Sequence, residues 1–408
     1  MALRMTRREA YNRGKAAGGK ASRGELWLKM ADSCMDWARR SYPPSAELDY
    51  KKELIELEKA RMAADLDLTK FPECRGLREI VEAEHRGFLE ACNEPWMMAY
   101  EFNWYWFISR RLNTRFVATQ TPKGHCTHVW INHGEEGVVQ GNNLDDIRRP
   151  FMKLMLKPPK EGPKGDPIKR VLQVGGVSAA VLCDEEPKDI FPVNVHEILP
   201  EDIDTVREVV KFLERYREFF GPGNQIWADP KLDSVAIEKS NCRMGVRWAK
   251  NGASAITALS YLTPEMNAFK KERDVMSVKA RGWDLEDNAD TIVWAGAERR
   301  YHRLLKLTDE EARRGASLWG VANIVLDRDA PPPERISVAG ERSHPMEWEV
   351  NWTLVSTASV TFGPTRRTLM WILDADGNRP IFEGKPYLAL GKGVKMREEW
   401  KRGTRMED

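Results

Sequence analysis

Apolar positions in the first quarter of the chain recur at helical spacing. Leu26, Leu28, Met30, Met35 and Trp37 open one amphipathic run, and Leu54, Ile55, Leu57 and Met62 mark a second. Leu77, Ile80, Val81, Phe88 and Leu89 make a third. The segment from Trp96 to Ile108 is dense in aromatics and poor in charge, which suits a helix buried under tertiary cover. These aromatics read as core, not as a ligand platform. Together the runs predict a helical region over residues 1–112.

Beyond Asn113 the period shortens. Residues 115–119 (RFVAT), 127–131 (THVWI) and 137–140 (GVVQ) read as strands separated by turn residues. Further strands are expected at 171–183, 191–199, 224–229 and 233–238. A helix over 202–220 interrupts them, its stripe made of Val206, Val209, Val210, Leu213, Tyr216 and Phe220. A second helical stretch runs from about Thr291 to Leu326 and stops before Pro331, Pro332 and Pro333. Strands at 353–362 and 367–374, with a hairpin over 374–378, complete the pattern. The proline- and lysine-rich residues 157–169 predict an exposed loop. Strands in consecutive antiparallel pairs, with helices inserted in two blocks, predict a layered α+β domain over 113–408, not an alternating βαβ fold.

Composition narrows the classes. In 408 residues, 42% are hydrophobic, enough to bury a sizeable core. The 64 basic and 62 acidic residues nearly cancel, so no global charge points to nucleic acid or a membrane surface as partner. No run approaches the ~18 apolar residues of a membrane span; the longest candidate, Val171 to Cys183, is broken by Gln173, Gly175 and Gly176. The first 24 residues carry Arg4, Arg7, Arg8, Arg13, Lys15, Lys20 and Arg23 against Glu9 alone. This stretch is expected to be a frayed basic tail, with an organelle transit peptide as the alternative. Without an apolar core it is not expected to be a secretory signal. Cysteines at 34, 74, 92, 126, 183 and 242 form no disulfide framework, which predicts a reducing, cytoplasmic setting. Neither phosphate-binding glycine motif is present, so no nucleotide cofactor is expected.

Chemistry concentrates between Pro122 and Asp146. Cys126 stands at the start of a strand after Gly124 and His125. A second strand returns after the turn at 133–137 and runs into Asn142, Asn143, Leu144 and Asp145. Pairing as a hairpin brings Asp145 back toward Cys126, a carboxylate and amides beside a thiol. A metal reading of His125, Cys126, His128 and His133 fails on strand alternation, which sends neighbours to opposite faces, and no metal is expected. A papain-type triad with His196 or His344 has no local support. Taken singly, Cys126 reads as a buried thiol and Asp145 as a turn-capping carboxylate.

The order of segments resembles the acyl-coenzyme A:isopenicillin-N acyltransferase family, a branch of the N-terminal nucleophile hydrolases. Cys126-Thr127 followed by Asn143-Leu144-Asp145 is similar to the family's Cys-Thr and Asn-x-Asp. Asn224 to Asp229 with Ser234 to Glu238, then Leu262 to Glu265, then Glu298 to Leu304, are similar to its later segments in order and spacing. The resemblance runs over about 115–390. It implies a four-layer αββα sandwich, with residues 1–112 as a helical pro-segment retained as a small subunit. It also implies an autoprocessing cysteine amide hydrolase or acyltransferase, in which cleavage between His125 and Cys126 frees an N-terminal nucleophile. The freed α-amine, with a pKa of ~7.7–8.0, serves as base for its own thiol. Asp145 orients that amine, and the substrate is a small acyl amide or an acyl-CoA-like thioester. Two positions depart from the family. His125 stands where glycine is usual, and the oxyanion asparagine falls on Leu259 with Ser260 beside it. Loss of one oxyanion donor costs ~10²–10³ in rate, unless Thr127, Ser260 or Asn143 supplies the support. The alternative is an unprocessed, non-catalytic relative that binds an acyl amide.

Overall fold

The computed structural model describes residues 3–63, 76–113, 115–116, 126–134, 137–148, 167–177, 199–217, 223–240, 242–258, 260–280, 282, 293–327, 329–331, 334, 336, 352–362 and 367–373. Outside them lie residues 117–119, 178–183 and 191–198 of the strands expected at 115–119, 171–183 and 191–199, most of the 157–169 loop, the hairpin over 374–378, His125 and Leu259. The chain divides into two compact units. The first comprises Met1–Pro122, Ala180–Pro222 and Lys239–Met244; the second comprises Lys123–Ala179, Gly223–Glu238 and Gly245–Asp408.

The first unit is helical. Its opening element corrects the expectation of a frayed tail: Arg7–Ser22 is a helix, α1. Thr6 caps it, accepting from the Glu9 amide at 3.2 Å while the Glu9 carboxylate accepts from the Thr6 amide at 2.8 Å. Four helices follow: α2 (Glu25–Ser41), α3 (Tyr50–Ala63), α4 (Leu77–Ala91) and α5 (Pro95–Trp106), the last continuing as a π-helix over Phe107–Asn113. Glycines decide how α1 meets α4. A Cβ on Gly14 or Gly18 would overlap the carbonyl oxygens of Glu84 or Phe88, and one on Gly87 would overlap that of Tyr11. The two backbones therefore touch directly, and the Arg13 guanidinium clasps the Glu84 carboxylate at 2.5 and 2.8 Å beside the contact. The aromatics expected to be core are core: Trp27 stands edge-on to Tyr100 at 5.3 Å, and Tyr50 to Phe107 at 4.9 Å. α6 (Val206–Arg215) buries Val206, Val209, Val210, Phe212 and Leu213 and starts with a Thr205/Glu208 capping box.

The second unit is mixed α and β, with two antiparallel sheets. β1 (Thr127–Gly134) and β2 (Gly137–Arg148) form the expected hairpin, Thr127 opposite Asn143. β3 (Leu172–Val177), β4 (Gly223–Ala228) and β5 (Ser234–Lys239) match expected strands in part or whole. β6 (Met244–Trp248), β7 (Ala253–Thr257) and the helix α7 (Pro264–Ala280) were not anticipated by the periodicity. The second helical stretch is two helices, α8 (Val293–Arg313) and α9 (Leu318–Val325), and the chain continues into β8 (Trp352–Phe362) and β9 (Arg367–Leu373). The sheet orders are β7-β1-β2-β8-β9 and β3-β4-β5-β6.

Strand alternation sorts β1 between two environments. Val129 and Ile131 join Val139, Ala253 and Ala255 in a core closed by Tyr301 and Leu304 of α8 and by Leu318, Val321 and Val325 of α9. His128 points the other way, to the second sheet, where its ring lies against Gly175 of β3. Helices, the five-stranded sheet and the four-stranded sheet thus stack as three layers. A Cβ at Gly175 would sit 2.5 Å from the His128 ring, which explains a glycine inside a strand beside a bulge.

Candidate active site around Cys126

Cys126 precedes β1 by one residue and is partly exposed. Its carbonyl accepts from the Ala258 amide at 2.7 Å and from Thr257 Oγ1 at 3.2 Å, so the entry to β1 is pinned to the exit of β7. Asn224, fully buried on β4, holds the same exit from the second sheet. Its Nδ2 donates to the carbonyls of Thr257 and Ser260, both at 2.7 Å. Ser260 Oγ and Asn224 Oδ1 at this exit, and Thr127 Oγ1 on the helix-facing side of β1, are buried without a hydrogen-bond partner among the described residues. Each such atom costs about 1–3 kcal/mol of lost hydration.

The other expected residues take distinct places. Asn143 is buried on the helix-facing side of the sheet; its Nδ2 donates to the Val325 and Ile336 carbonyls, satisfying an orphan at the end of α9. Its amide nitrogen is thus committed to α9. Asp145 lies on β2 opposite Leu354 of β8, two residues beyond the Thr127 partner; its side chain is outside the described set. Asp229 caps the β4–β5 turn, accepting from the amides of Lys231 and Asp233 at 2.9 and 3.2 Å.

Beneath the junction, motif residues far apart in sequence form one network. The Glu238 carboxylate, buried at the end of β5, accepts from the Leu262 amide at 2.9 Å and from the Thr263 amide and hydroxyl at 2.8 and 2.9 Å. It also accepts from Arg247 Nε at 2.8 Å. Arg247 donates in turn to the Ala255 carbonyl at 2.8 Å and to the Tyr301 hydroxyl of α8. Burial pushes the Tyr301 hydroxyl well above the ordinary phenol range, so it stays protonated and donates to the Ala255 carbonyl. The segment 260–265 is therefore held at both ends, by Asn224 through Ser260 and by Glu238 through Leu262 and Thr263. Arg303 holds the largely buried Asp327 carboxylate at 2.6 and 2.7 Å, and Arg299 lies 3.7 Å from Glu334.

The histidines are not gathered. Burial holds His128 down to about 4, opposed by a hydrogen bond in which its ring N–H donates to Gln140. His133 is exposed and bonded to Asn132 and to the Ala312 carbonyl. Among the described residues no group of three His, Cys, Asp or Glu side chains is placed to hold a metal ion, and no helix is long and apolar enough to cross a membrane. The sequence reading had not singled out Arg247 or Tyr301 for a role. An arginine and a tyrosine on a strand and a helix carry no local signature, since only tertiary contact makes them partners. Comparison with protein-family models, with curated proteins and with solved structures finds no match for this chain.

Proposed function

We propose that this chain is an autoprocessing cysteine amide hydrolase or acyltransferase that works through a Cys126 thioester, with a small acyl amide or acyl-CoA-like molecule as substrate. One observation supports the reading: a partly exposed cysteine at the entry to β1, its carbonyl held by Ala258 and Thr257 at the exit of β7, where the buried Ser260 hydroxyl has no partner among the described residues. In the first step the sulfur attacks the His125 carbonyl carbon, and the acyl group moves from the Cys126 nitrogen to its sulfur. Water then cleaves the thioester, leaving a carboxylate on His125 and a free amine on Cys126. In turnover that amine takes the thiol proton, the thiolate attacks the substrate carbonyl, and the amine returns the proton to the leaving group. The Ser260 hydroxyl donates to the tetrahedral oxyanion, Asp145 orients the amine, and Asn143 supports β2 from behind by its tie to α9. Pinning of the Cys126 carbonyl by Ala258 and Thr257 fixes the peptide plane next to the nucleophile.

On the same reading the two sheets are the inner layers of an αββα sandwich. Residues 1–112 are a pro-segment kept as a small subunit, and a reducing compartment such as the cytoplasm preserves the thiol. Intact-mass measurement tests it. The purified chain is expected as two fragments divided between His125 and Cys126, and Cys126→Ala as one. A single intact wild-type chain whose Cys126 resists iodoacetamide would overturn the enzymatic reading. That result favours the binding-only alternative, which the replacement of the oxyanion asparagine by Leu259 motivates.

A further inference from the structure

The second sheet reaches Cys126 through a single peptide group. The Ala258 N–H, which donates to the Cys126 carbonyl at 2.7 Å, shares one planar peptide unit with the Thr257 carbonyl. That carbonyl accepts from Asn224 Nδ2 at 2.7 Å, so the unit is held at both poles, by Cys126 on one sheet and Asn224 on the other. The other Nδ2 hydrogen goes to the Ser260 carbonyl, also at 2.7 Å, and the pair of bonds stops the exit of β7 from turning about either one. Oδ1 of the same amide is buried without a hydrogen-bond partner among the described residues, so Asn224 acts here through its donor end. Its backbone is anchored in turn: Asn224 is fully buried and lies opposite Val177 of β3. Hydrogen bonds in line through a peptide polarise one another, strengthening each by roughly 10–30%. Donation by Asn224 therefore tightens the hold of Ala258 on Cys126.

We infer that Asn224 is a positioning residue for the Cys126 nucleophile, acting through the 257–258 peptide. The inference rests on the reading of Cys126 as the nucleophile. Cys126 precedes β1, and the bond from Ala258 is the rung that extends the β1–β7 ladder to it. Holding its carbonyl fixes rotation about the bond from the Cys126 α-carbon to that carbonyl, and so the direction in which the sulfur leaves the chain. A displacement of ~1 Å at a reacting atom costs up to ~10²-fold in rate. Asn224 touches no reacting atom; it sets the place of one that does.

The test follows cleavage between His125 and Cys126 in the full chain, made by cell-free synthesis, moved to buffers over a range of pH and read by intact mass. Asn224→Leu keeps the γ-branched shape without donors and is expected to cleave ~10- to 10²-fold more slowly than wild type. Hydrogen exchange of the Ala258 amide should quicken in it while the amides of β1 and β2 stay as protected as before. Asn224→Asp is expected to recover toward the wild-type rate while its new carboxyl is protonated and donates one O–H. As pH rises and ionisation removes that donor, its rate relative to wild type should fall to that of Asn224→Leu. A role in packing alone would leave that ratio independent of pH. Where the leucine variant does not fold, the aspartate variant carries the comparison. Wild-type cleavage rates in the folded variants, or slow cleavage by Asn224→Asp at every pH, overturn the assignment and leave the nucleophile standing. An uncut wild-type chain is a different result, which ends the nucleophile reading and this assignment with it.

Discussion

The Glu238 network offers the sharpest test of how the second unit is held together. Its carboxylate is fully buried and receives four protein donors besides the second contact to Leu262: the amides of Leu262 and Thr263, the Thr263 hydroxyl and Arg247 Nε. In Glu238→Leu the arginine loses its counter-charge in a site where only a fifth of its side chain is exposed. Breaking a buried pair in this way costs about 3–5 kcal/mol. Two amides at the start of α7 lose their acceptor as well, at about 1–3 kcal/mol each, and these losses overlap because all the groups share one partner. A total near 5 kcal/mol follows. The two-unit chain is not expected to unfold in one step, so native-state hydrogen exchange at Leu262 and Thr263 is the suitable assay. A loss of 3 kcal/mol or more corresponds to at least ~10²-fold faster exchange there. Arg247→Met in the same chain removes the stranded charge and is expected to recover part of the loss. Exchange within threefold of wild type in Glu238→Leu, or no recovery in the double variant, would refute the argument.

Three further outcomes are expected. His128 stays neutral in the fold down to about pH 4, whereas in the unfolded chain it titrates near 6.5. The unfolded state therefore binds the extra proton between those values, and stability present above pH 6.5 falls as pH drops, by about 2 kcal/mol between pH 7 and 5. His128→Gln should flatten that part of the curve, read from native-state hydrogen exchange of the β1 amides, corrected for intrinsic rates, at the two pH values; parallel wild-type and variant curves would contradict the burial argument. Gly14→Ala forces a methyl onto the Glu84 carbonyl and is expected to lose about 1–3 kcal/mol, read from native-state hydrogen exchange in α1 and α4. Gly19→Ala, whose nearest neighbour is the Arg23 side chain at 3.6 Å, should instead gain about 0.5–1 kcal/mol from helix propensity. Asn143→Leu keeps the γ-branched shape but strips the end of α9 of its donor, so faster exchange in α9 with β1–β2 protection unchanged is the expected result; unaltered exchange in α9 would exclude the tie.

Local patterning carried much of the architecture. Helical stripes announced α2 to α6 and the pair α8 and α9, and alternation with turn residues announced the β1–β2 hairpin, because each of these rests on contacts close in sequence. α1 escaped notice because its buried face is Ala10, Gly14, Gly18 and Ala21. Such residues register weakly on a hydrophobic scale, although Thr6 and Glu9 spelled a capping box. β6 and β7 are five residues each, too short for a period to declare itself. For α7, Pro264 at the first helical position was the available sign.

From the amino-acid order alone came the thiol at the head of a strand, the hairpin with its returning strand, and the spacing of the later segments; the register that sets Asn143 opposite Thr127 came from the fold. Only the folded chain decided that β7 and β8 flank that hairpin, that Asn143 serves the end of α9, and that Glu238, Arg247, Tyr301 and Thr263 share one network. The physical reason is the range of the forces. Periodicity and turn chemistry act within a few residues and leave a mark in the sequence. Pairing of buried polar groups is settled by which partners remain once water is excluded, and those partners stand as far apart as positions 143 and 325.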